Sequence, residues 1–309
     1  MKKLWFLVSL AAVLFLAACS LDSPTSNESK GTGSEGSSEE TPTIGFSVST
    51  LNNPFFVTLT DGAKAKAEEL GAELTVVDAQ DDAAKQASDV EDLIQQGVDF
   101  ILINPVDSAA VAAAVESANA ADIPVITLDR SAEGGEVVAH VASDNVAGGK
   151  MAGEYLVSLI GEGAQVAELE GVPGSSAARE RGEGFNSVAA DQLDVVAKQT
   201  ANFNRAEGLS VMENILQSNP DIKGVFAHND EMALGALEAI EAAGKDIVVV
   251  GFDATDDAVA SVEDGRLAGT IAQQPAMIGE IGIETAMKVL AGEEVEANIP
   301  VELELVGQE

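Results

Sequence analysis

From Thr43 onward the chain alternates short apolar, β-branched runs with longer stretches of helical spacing. The runs occupy residues 44–50, 74–78, 100–104, 125–129, 137–141, 166–170, 195–200, 225–227, 248–252 and 269–272. Nearly continuous apolar runs of this length suit parallel strands covered on both faces. Between them, Leu209, Met212 and Leu216 fall at i, i+3 and i+7, and Ala233, Leu237 and Ile240 at i, i+4 and i+7, which places each set on one helix face. Gly71, Gly97 and Gly244 stand just before the next run, where helix C-caps belong. Strands alternating with helices predict a doubly wound α/β architecture. Ten runs exceed one small sheet, and the two halves look like two copies of the same βαβ plan, so two lobes are expected.

The chain ahead of this body follows a different pattern. Lys2 and Lys3 precede an apolar run over residues 4–18 that is too short to span a bilayer comfortably. This is the layout of a signal peptide. It ends in Leu16-Ala17-Ala18-Cys19, which resembles the lipobox of bacterial lipoproteins. That resemblance implies cleavage before Cys19 and lipid on Cys19, where several acyl chains would give a lasting anchor. An ordinary signal peptide with an incidental Cys is the plainer alternative. Residues 19–42 are rich in Ser, Gly, Glu, Thr and Pro and read as a flexible acidic spacer.

Composition narrows the function. The chain of 309 residues carries 52 acidic against 16 basic side chains, a formal net charge of −36. Such a surface opposes nucleic acid, whose binding depends on clustered Lys and Arg. Its excess acidity fits a well-solvated surface or adaptation to high salt. A single Cys excludes an intrachain disulfide and a multi-Cys zinc site. His140 and His228 are the two imidazoles, no nucleophile elbow G-x-S-x-G appears, and there is no G-x-x-x-x-G-K-[ST] and no G-x-G-x-x-G at a strand–helix turn. The chain reads as a binding protein rather than an enzyme, with no cofactor and no metal.

In open α/β sheets, ligands bind beyond the carboxyl ends of the strands. Just past the predicted strands stand Asn53, Phe55 and Phe56, then Asn104, then Asp129 and Arg130, then His228 and Asn229, then Asp253, then Gln273. Asn and Gln offer donors and an acceptor on one plane, Asp accepts, and Arg donates in a fork. With Phe for C–H faces, this set suits a hydroxyl-rich sugar. Each residue also has a plainer reading. The two Phe could be core, Asn104 a turn residue before Pro105, and Asp129 with Arg130 a surface ion pair. Asp253 could cap a helix beginning near Thr255, and Arg179 and Arg181 could pair with Glu180 and Glu183 along a helix surface. His228 could be a packed or solvated histidine. The joint placement at strand ends favours the binding reading.

Several segments carry a specific resemblance: Ser49-Thr-Leu-Asn-Asn-Pro-Phe-Phe56, Ile103-Asn-Pro105, Ile123-Pro-Val-Ile-Thr-Leu-Asp-Arg130, Ala142-Ser-Asp-Asn145, Ser176-Ala-Ala-Arg-Glu-Arg-Gly-Glu-Gly-Phe185, Asn229-Asp-Glu-Met-Ala-Leu-Gly-Ala236 and Val250-Gly-Phe-Asp253. Together, across residues 43 to about 306, they resemble the bacterial D-ribose-binding proteins, substrate-binding components of ABC sugar importers in the type I periplasmic binding protein family. The resemblance implies two Rossmann-like lobes, each a parallel sheet with flanking helices, joined by a three-segment hinge with sugar in the cleft. It implies a first lobe of residues 43–143 plus 274–302 and a second of 144–273 plus 303–309. The family's ribose contacts fall on Asn53, Phe55, Phe56, Asn104, Asp129, Arg130, Arg181, Phe203, Asn229, Asp253 and Gln273. Of these, Phe55, Phe56 and Phe203 would flank the ring, and Asp129, Arg130, Arg181, Asn229 and Asp253 would bond its hydroxyls. His228 departs from a family position that often holds Gln. The implied partners are a monosaccharide, most naturally D-ribose, and an ABC permease, with the chain a monomer held outside the cytoplasm through Cys19. A sugar receptor feeding a chemotaxis or histidine-kinase sensor is the alternative, with the same pocket and a different reader.

Overall fold

The computed structural model describes residues 41–308. The leader, Cys19 and nearly all of the acidic spacer lie outside these described residues. In chain order the first elements are β1 (Thr43–Val48), α1 (Pro54–Leu70), β2 (Glu73–Asp78), α2 (Ala83–Gln96), β3 (Phe100–Ile103), α3 (Ala112–Ala120), β4 (Val125–Leu128) and β5 (Ala139–Ser143). Next come α4 (Asn145–Ile160), β6 (Ala164–Glu170), α5 (Ser176–Gln192), β7 (Leu193–Thr200), α6 (Arg205–Ser218), β8 (Gly224–Ala227), α7 (Asp230–Ala242), β9 (Val248–Asp253), α8 (Asp256–Glu263) and β10 (Gly269–Ala272). The chain then closes with α9 (Pro275–Leu290), β11 (Asn298–Val301) and β12 (Glu304–Gly307).

These strands form two sheets of six, ordered β11-β5-β4-β3-β1-β2 and β12-β10-β9-β8-β6-β7. The first is parallel throughout. The second is parallel except where β12 runs antiparallel to β10. One sheet order therefore repeats in both halves, and the last strand breaks the symmetry. Only Glu302 and Leu303 separate β11 from β12, so the chain leaves one sheet and enters the other without the crossover that a parallel strand needs.

Alternation along each strand feeds two cores per sheet. In the first half, Phe46, Leu102, Ile126 and Val141 face α1 and α9, while Ile101, Ile103 and Val125 face α2 and α3. In the second, Leu169, Val225 and Val249 face α6, α7 and α8, and Val166, Phe226, Val250 and Phe252 face α4 and α5. This two-sided burial is why the strands read as continuous apolar runs.

Gly71 and Gly97 cap their helices where the sequence places them, while α7 is capped by Ala243, one residue before the expected Gly244. Asn53 caps α1, accepting from Phe55 N–H, with Pro54 in the first turn. Gly71 and Gly97 end α1 and α2 with φ of 71° and 73°, the left-handed geometry glycine adopts without strain. Three helix pairs touch through glycines: Gly62 and Gly279 join α1 to α9, Gly149 and Gly184 join α4 to α5, and Gly208 and Gly235 join α6 to α7. At each of these six positions a Cβ would overlap backbone of the facing helix.

Twelve strands are present among the described residues, where the apolar runs predict ten. The additional pair, β11 and β12, are four-residue edge strands. Pro300 and the polar Asn298 and Glu304 hide them from a search for apolar runs, and an edge tolerates Pro because one side of the strand needs no donor. The strand expected at residues 137–141 sits two residues later, at β5.

Candidate functional site

Every predicted site residue lies at or just beyond the carboxyl end of a strand, or in the first turns of a helix that follows one. From the first sheet, Asn53, Phe55 and Phe56 follow β1 into α1, Asn104 follows β3, and Asp129 and Arg130 follow β4. From the second, Arg181 lies in the second turn of α5, Phe203 and Asn229 follow β7 and β8, Asp253 ends β9, and Gln273 follows β10. The two sets of strand ends meet. Asn53, Phe55, Phe56, Asp129, Arg130, Arg181, Phe203, Asn229, Asp253 and Gln273, with Ala177, line one tight cavity between the halves.

Asn104 does not line this cavity, although the sequence places it with the others. It is fully buried and lies one layer back. Its Nδ2 donates to Leu128 O at 3.0 Å and, at 3.5 Å, to Asp129 Oδ2. Its Oδ1 accepts from Ser49 N–H at 3.2 Å. Asn104 ties the ends of β1 and β4 together and holds the Asp129 carboxylate.

Four buried charges face one another, two of each sign. Arg181 Nη2 lies 3.9 Å from Asp129 Oδ1 across the lobes, and its Nη1 lies 3.7 Å from Asp253 Oδ1. Arg130 Nε lies 3.6 Å from Asp129 Oδ2. These spacings are ionic contacts too long for hydrogen bonds. Burial lowers Arg130 below the ordinary arginine value, with Asp129 opposing the shift. Burial likewise raises the Asp253 carboxyl well above the usual carboxylate value, with Arg181 opposing. Buried charges persist when paired and hydrogen-bonded, and the second condition is only partly met. Asp129 Oδ1, Arg130 Nε and Gln273 Oε1 are buried with no hydrogen-bond partner in the protein.

Aromatic rings complete the walls. Phe55 and Phe56 meet edge to face, with centroids 5.2 Å apart. The Arg130 guanidinium lies between Phe56 and Phe203, 4.9 and 5.2 Å from their centroids, and Arg181 lies 4.0 Å from the Phe252 ring. Such stacking holds each guanidinium plane while its N–H edge remains available. Two wider clefts adjoin the cavity, one sharing Asn53, Phe56, Arg130 and Phe203 with it and the other Phe55 and Asp253.

The plainer readings resolve individually. Phe55 and Phe56 belong to a core and also line the cavity. Asp129 and Arg130 are buried, not a surface pair. Thr255, not Asp253, occupies the N-cap of α8, and Asp253 accepts from Gln273 Nε2 at 2.7 Å. Arg179 pairs with Glu133 of the other half. His228 is packed, fully buried beneath the site.

Supporting residues that the sequence reading did not single out include Asn145, Gln86 and Phe252. Asn145 accepts from Arg181 Nε at 2.8 Å. It sits just past β5, so the strand-end rule that found its neighbours could have found it. Gln86 Nε2 donates to Asn104 O at 2.9 Å, and its Oε1 accepts from Val106 N–H at 2.8 Å. Being mid-helix in α2, it gives no such signal.

Two α/β lobes whose strand ends close on a polar, aromatic-walled cavity define a two-lobed solute-binding protein. The chain belongs to the family described as periplasmic binding protein domain, whose model matches residues 44–294. It is a family of binding proteins, in keeping with the reading of the chain as no enzyme. The ribose import binding protein RbsB of Bacillus subtilis (strain 168) is 54% identical over 308 residues, covering 100% of both chains. The ribose import binding protein RbsB of Escherichia coli (strain K12) is 58% identical over 266 residues, 85% of this chain and 90% of its own. Among solved structures, an ABC transporter solute-binding protein from Mycobacterium smegmatis with bound glycerol matches with a TM-score of 0.84 at 37% identity. It covers 87% of this chain and 94% of that one.

Proposed function

We propose that this chain captures D-ribose between its lobes and delivers it to the permease of an ABC importer. The observation that carries the reading is the set of buried polar atoms facing one cavity from both halves. Asp129 Oδ1 and Gln273 Oε1 are acceptors and Arg130 Nε is a donor, all without protein partners. A ring hydroxyl both donates and accepts, so a small polyol satisfies such a set, whereas a fully ionised anion only accepts and leaves Asp129 Oδ1 and Gln273 Oε1 without a donor. The relatives named for ribose import, at 54% and 58% identity, favour a pentose within that class. All eleven residues, Asn104 included, are assigned to the site, Asn104 through its hold on Asp129.

Delivery follows from closure. Residues 43–143 with 274–302 form one lobe, and 144–273 with 303–309 the other. The three connections between them are bonded to one another, Ser143 Oγ donating to Gln273 O at 3.3 Å and Gln274 Nε2 to Glu302 O at 3.2 Å. They act as one hinge. Sugar bridging Asp129 and Asp253 binds the closed form alone, and this differential affinity drives closure. The closed lobes then offer the permease a surface that the open form lacks. The chain acts as a monomer outside the cytoplasm, exported by residues 1–18 and anchored through lipid on Cys19. The apolar run behind Lys2 and Lys3 and the lipobox-like Leu16-Ala17-Ala18-Cys19 support export and anchoring.

Calorimetry with D-ribose, D-allose, L-arabinose and D-glucose tests the ligand. Ribose is expected to bind tightest, and Arg181→Ala to lose ~10²-fold or more, because truncation leaves the buried Asp253 without its cation and removes one of the two beside Asp129. Undetectable ribose binding by the parent protein, or unchanged affinity in Arg181→Ala, would overturn the assignment.

A further inference from the structure

Beneath the cavity, in the second lobe, lies a buried group that the binding chemistry above does not use. Glu168 in β6 and His228 just past β8 are both 0% exposed. Parallel pairing sets Glu168 opposite Phe226, and strand alternation brings His228 to the same face, under α5. His228 Nε2 lies 2.9 Å from Glu168 Oε1, and Gly171 N–H donates to His228 Nδ1 at 3.4 Å. A ring nitrogen that accepts carries no proton, so the proton sits on Nε2 and the imidazole is neutral. Glu168 is held ionised. Burial alone would raise its carboxyl, but His228, Asn186 and Lys198 together outweigh burial and hold it below the ordinary value.

This ring touches no part of the cavity, yet it joins the segments that do. The His228 carbonyl accepts from Arg181 Nη1 at 2.7 Å. The next residue, Asn229, lines the cavity, and its Nδ2 donates to Phe203 O at 3.3 Å. Gly171 backs onto the Phe203 ring so closely that a Cβ there would overlap it. We propose that His228 is a positioning residue for sugar binding: its neutral imidazole, bridging the Gly171 amide and the Glu168 carboxylate, holds Arg181, Phe203 and Asn229 in register. This rests on the ribose-binding reading above.

Protonation undoes the bridge. A proton on Nδ1 meets the Gly171 N–H head on and places a second positive charge near Arg181. The charged groups facing the ring are Glu168 and Glu170 from β6, Arg181 from α5, and Lys198 from β7, which pairs with both glutamates at 3.3 and 3.1 Å. Burial and Arg181 lower the imidazole below its ordinary value against the pull of Glu168 and Glu170, so the neutral bridge persists through neutral pH and fails on the acid side.

The test compares ribose affinity by calorimetry in the parent, His228→Gln and His228→Leu between about pH 7.5 and about pH 5, the range where an imidazole titrates. A glutamine amide can donate to Glu168 and accept from Gly171 without titrating. The expected result is near-parent affinity for His228→Gln at the upper pH, with an acid loss smaller than the parent's by ~5-fold or more. His228→Leu, checked for folding by circular dichroism, should bind ~10-fold weaker at both ends, because the Gly171 amide and Glu168 lose their partner. Other site carboxylates titrate equally in all three proteins and cancel from the comparison. Superimposable pH profiles for the parent and His228→Gln, or parent affinity in a folded His228→Leu, would overturn the inference while leaving ribose binding intact. If His228→Leu does not fold, the glutamine comparison decides alone. Absence of ribose binding by the parent at the upper pH removes the functional reading and this inference together.

Discussion

Asp129, Phe203 and Asp253 all hold left-handed backbone, with φ of 63°, 58° and 122°. Non-glycine residues held in sparsely populated backbone regions cost about 1–3 kcal/mol each. Three of them on one cavity indicate a geometry held by surrounding contacts. For Asp129 those contacts include Asn104, and for Asp253 they include Gln273 Nε2. Asp129→Ala removes the carboxylate facing Arg130 and Arg181, so calorimetry should show ribose affinity falling by at least ~10²-fold. Asp230 supports the same loop from below. It is fully buried and accepts from Thr270 Oγ1 at 2.7 Å and from Thr255 N–H at 2.8 Å. Burial pushes its carboxyl up to about 7, with those hydrogen bonds opposing. The folded state therefore keeps a proton that the unfolded chain releases near its ordinary value of 3.8. That contribution to stability is full below 3.8 and is lost as pH rises through about 7. Denaturant titrations of the ligand-free protein between about pH 5 and 7 should show a slope that Asp230→Asn reduces by up to ~1.4 kcal/mol per pH unit. At this scale the sequence showed which chemical groups gather at strand ends. It gave no sign of Asp230's burial, because an Asp in the first turn of a helix is ordinary on a surface.

Helix pairs set the position of these side chains. Arg181 rides on α5, and the Gly149 and Gly184 contacts bring α5 against α4 so closely that the Arg181 carbonyl lies where a Gly149 Cβ would go. Asn145, at the start of α4, accepts from the same arginine. A methyl at the interface forces α5 outward and carries Arg181 with it. Gly149→Ala should cost about 1–3 kcal/mol in thermal or denaturant unfolding and should also weaken ribose binding. Gly208→Ala, at the α6–α7 contact, places a methyl against backbone away from Arg181, so it should destabilise with a smaller effect on affinity. Element existence was largely legible, because two-sided burial makes strands read as apolar runs and glycine marks the helix ends. Edge strands β11 and β12 were not, because an edge needs neither a long run nor apolar residues on both faces.

Across the whole molecule, closure is held at one rim by a small set of bonds between the lobes. Ser108 N–H donates to Gly174 O at 3.0 Å, Ser176 N–H to Ser108 Oγ at 3.2 Å, and Ser131 N–H to Ser176 Oγ at 2.9 Å. Glu133 and Arg179 pair across the same rim with both side chains about half exposed. An exposed pair contributes at most about 1 kcal/mol, so Glu133→Ala should speed ribose release in stopped-flow by no more than ~5-fold. Ser176→Pro removes the N–H bonded to Ser108 and the hydroxyl bonded to Ser131, and should speed it further. Small-angle scattering should show the radius of gyration falling when ribose is added, and an unchanged value would remove hinge closure from the mechanism. The sequence by itself determined the α/β class, the repeated half and the polar groups at strand ends, because periodicity and turn chemistry are local properties of the chain. Tertiary structure alone decided that Asp129 and Arg181, 52 positions apart and on different sheets, lie 3.9 Å from each other. It also decided that Asn104 serves as a support and that β12 runs antiparallel. These outcomes depend on how the chain crosses three times between two sheets, and no local pattern of residues encodes the distance between groups that only the crossings bring together.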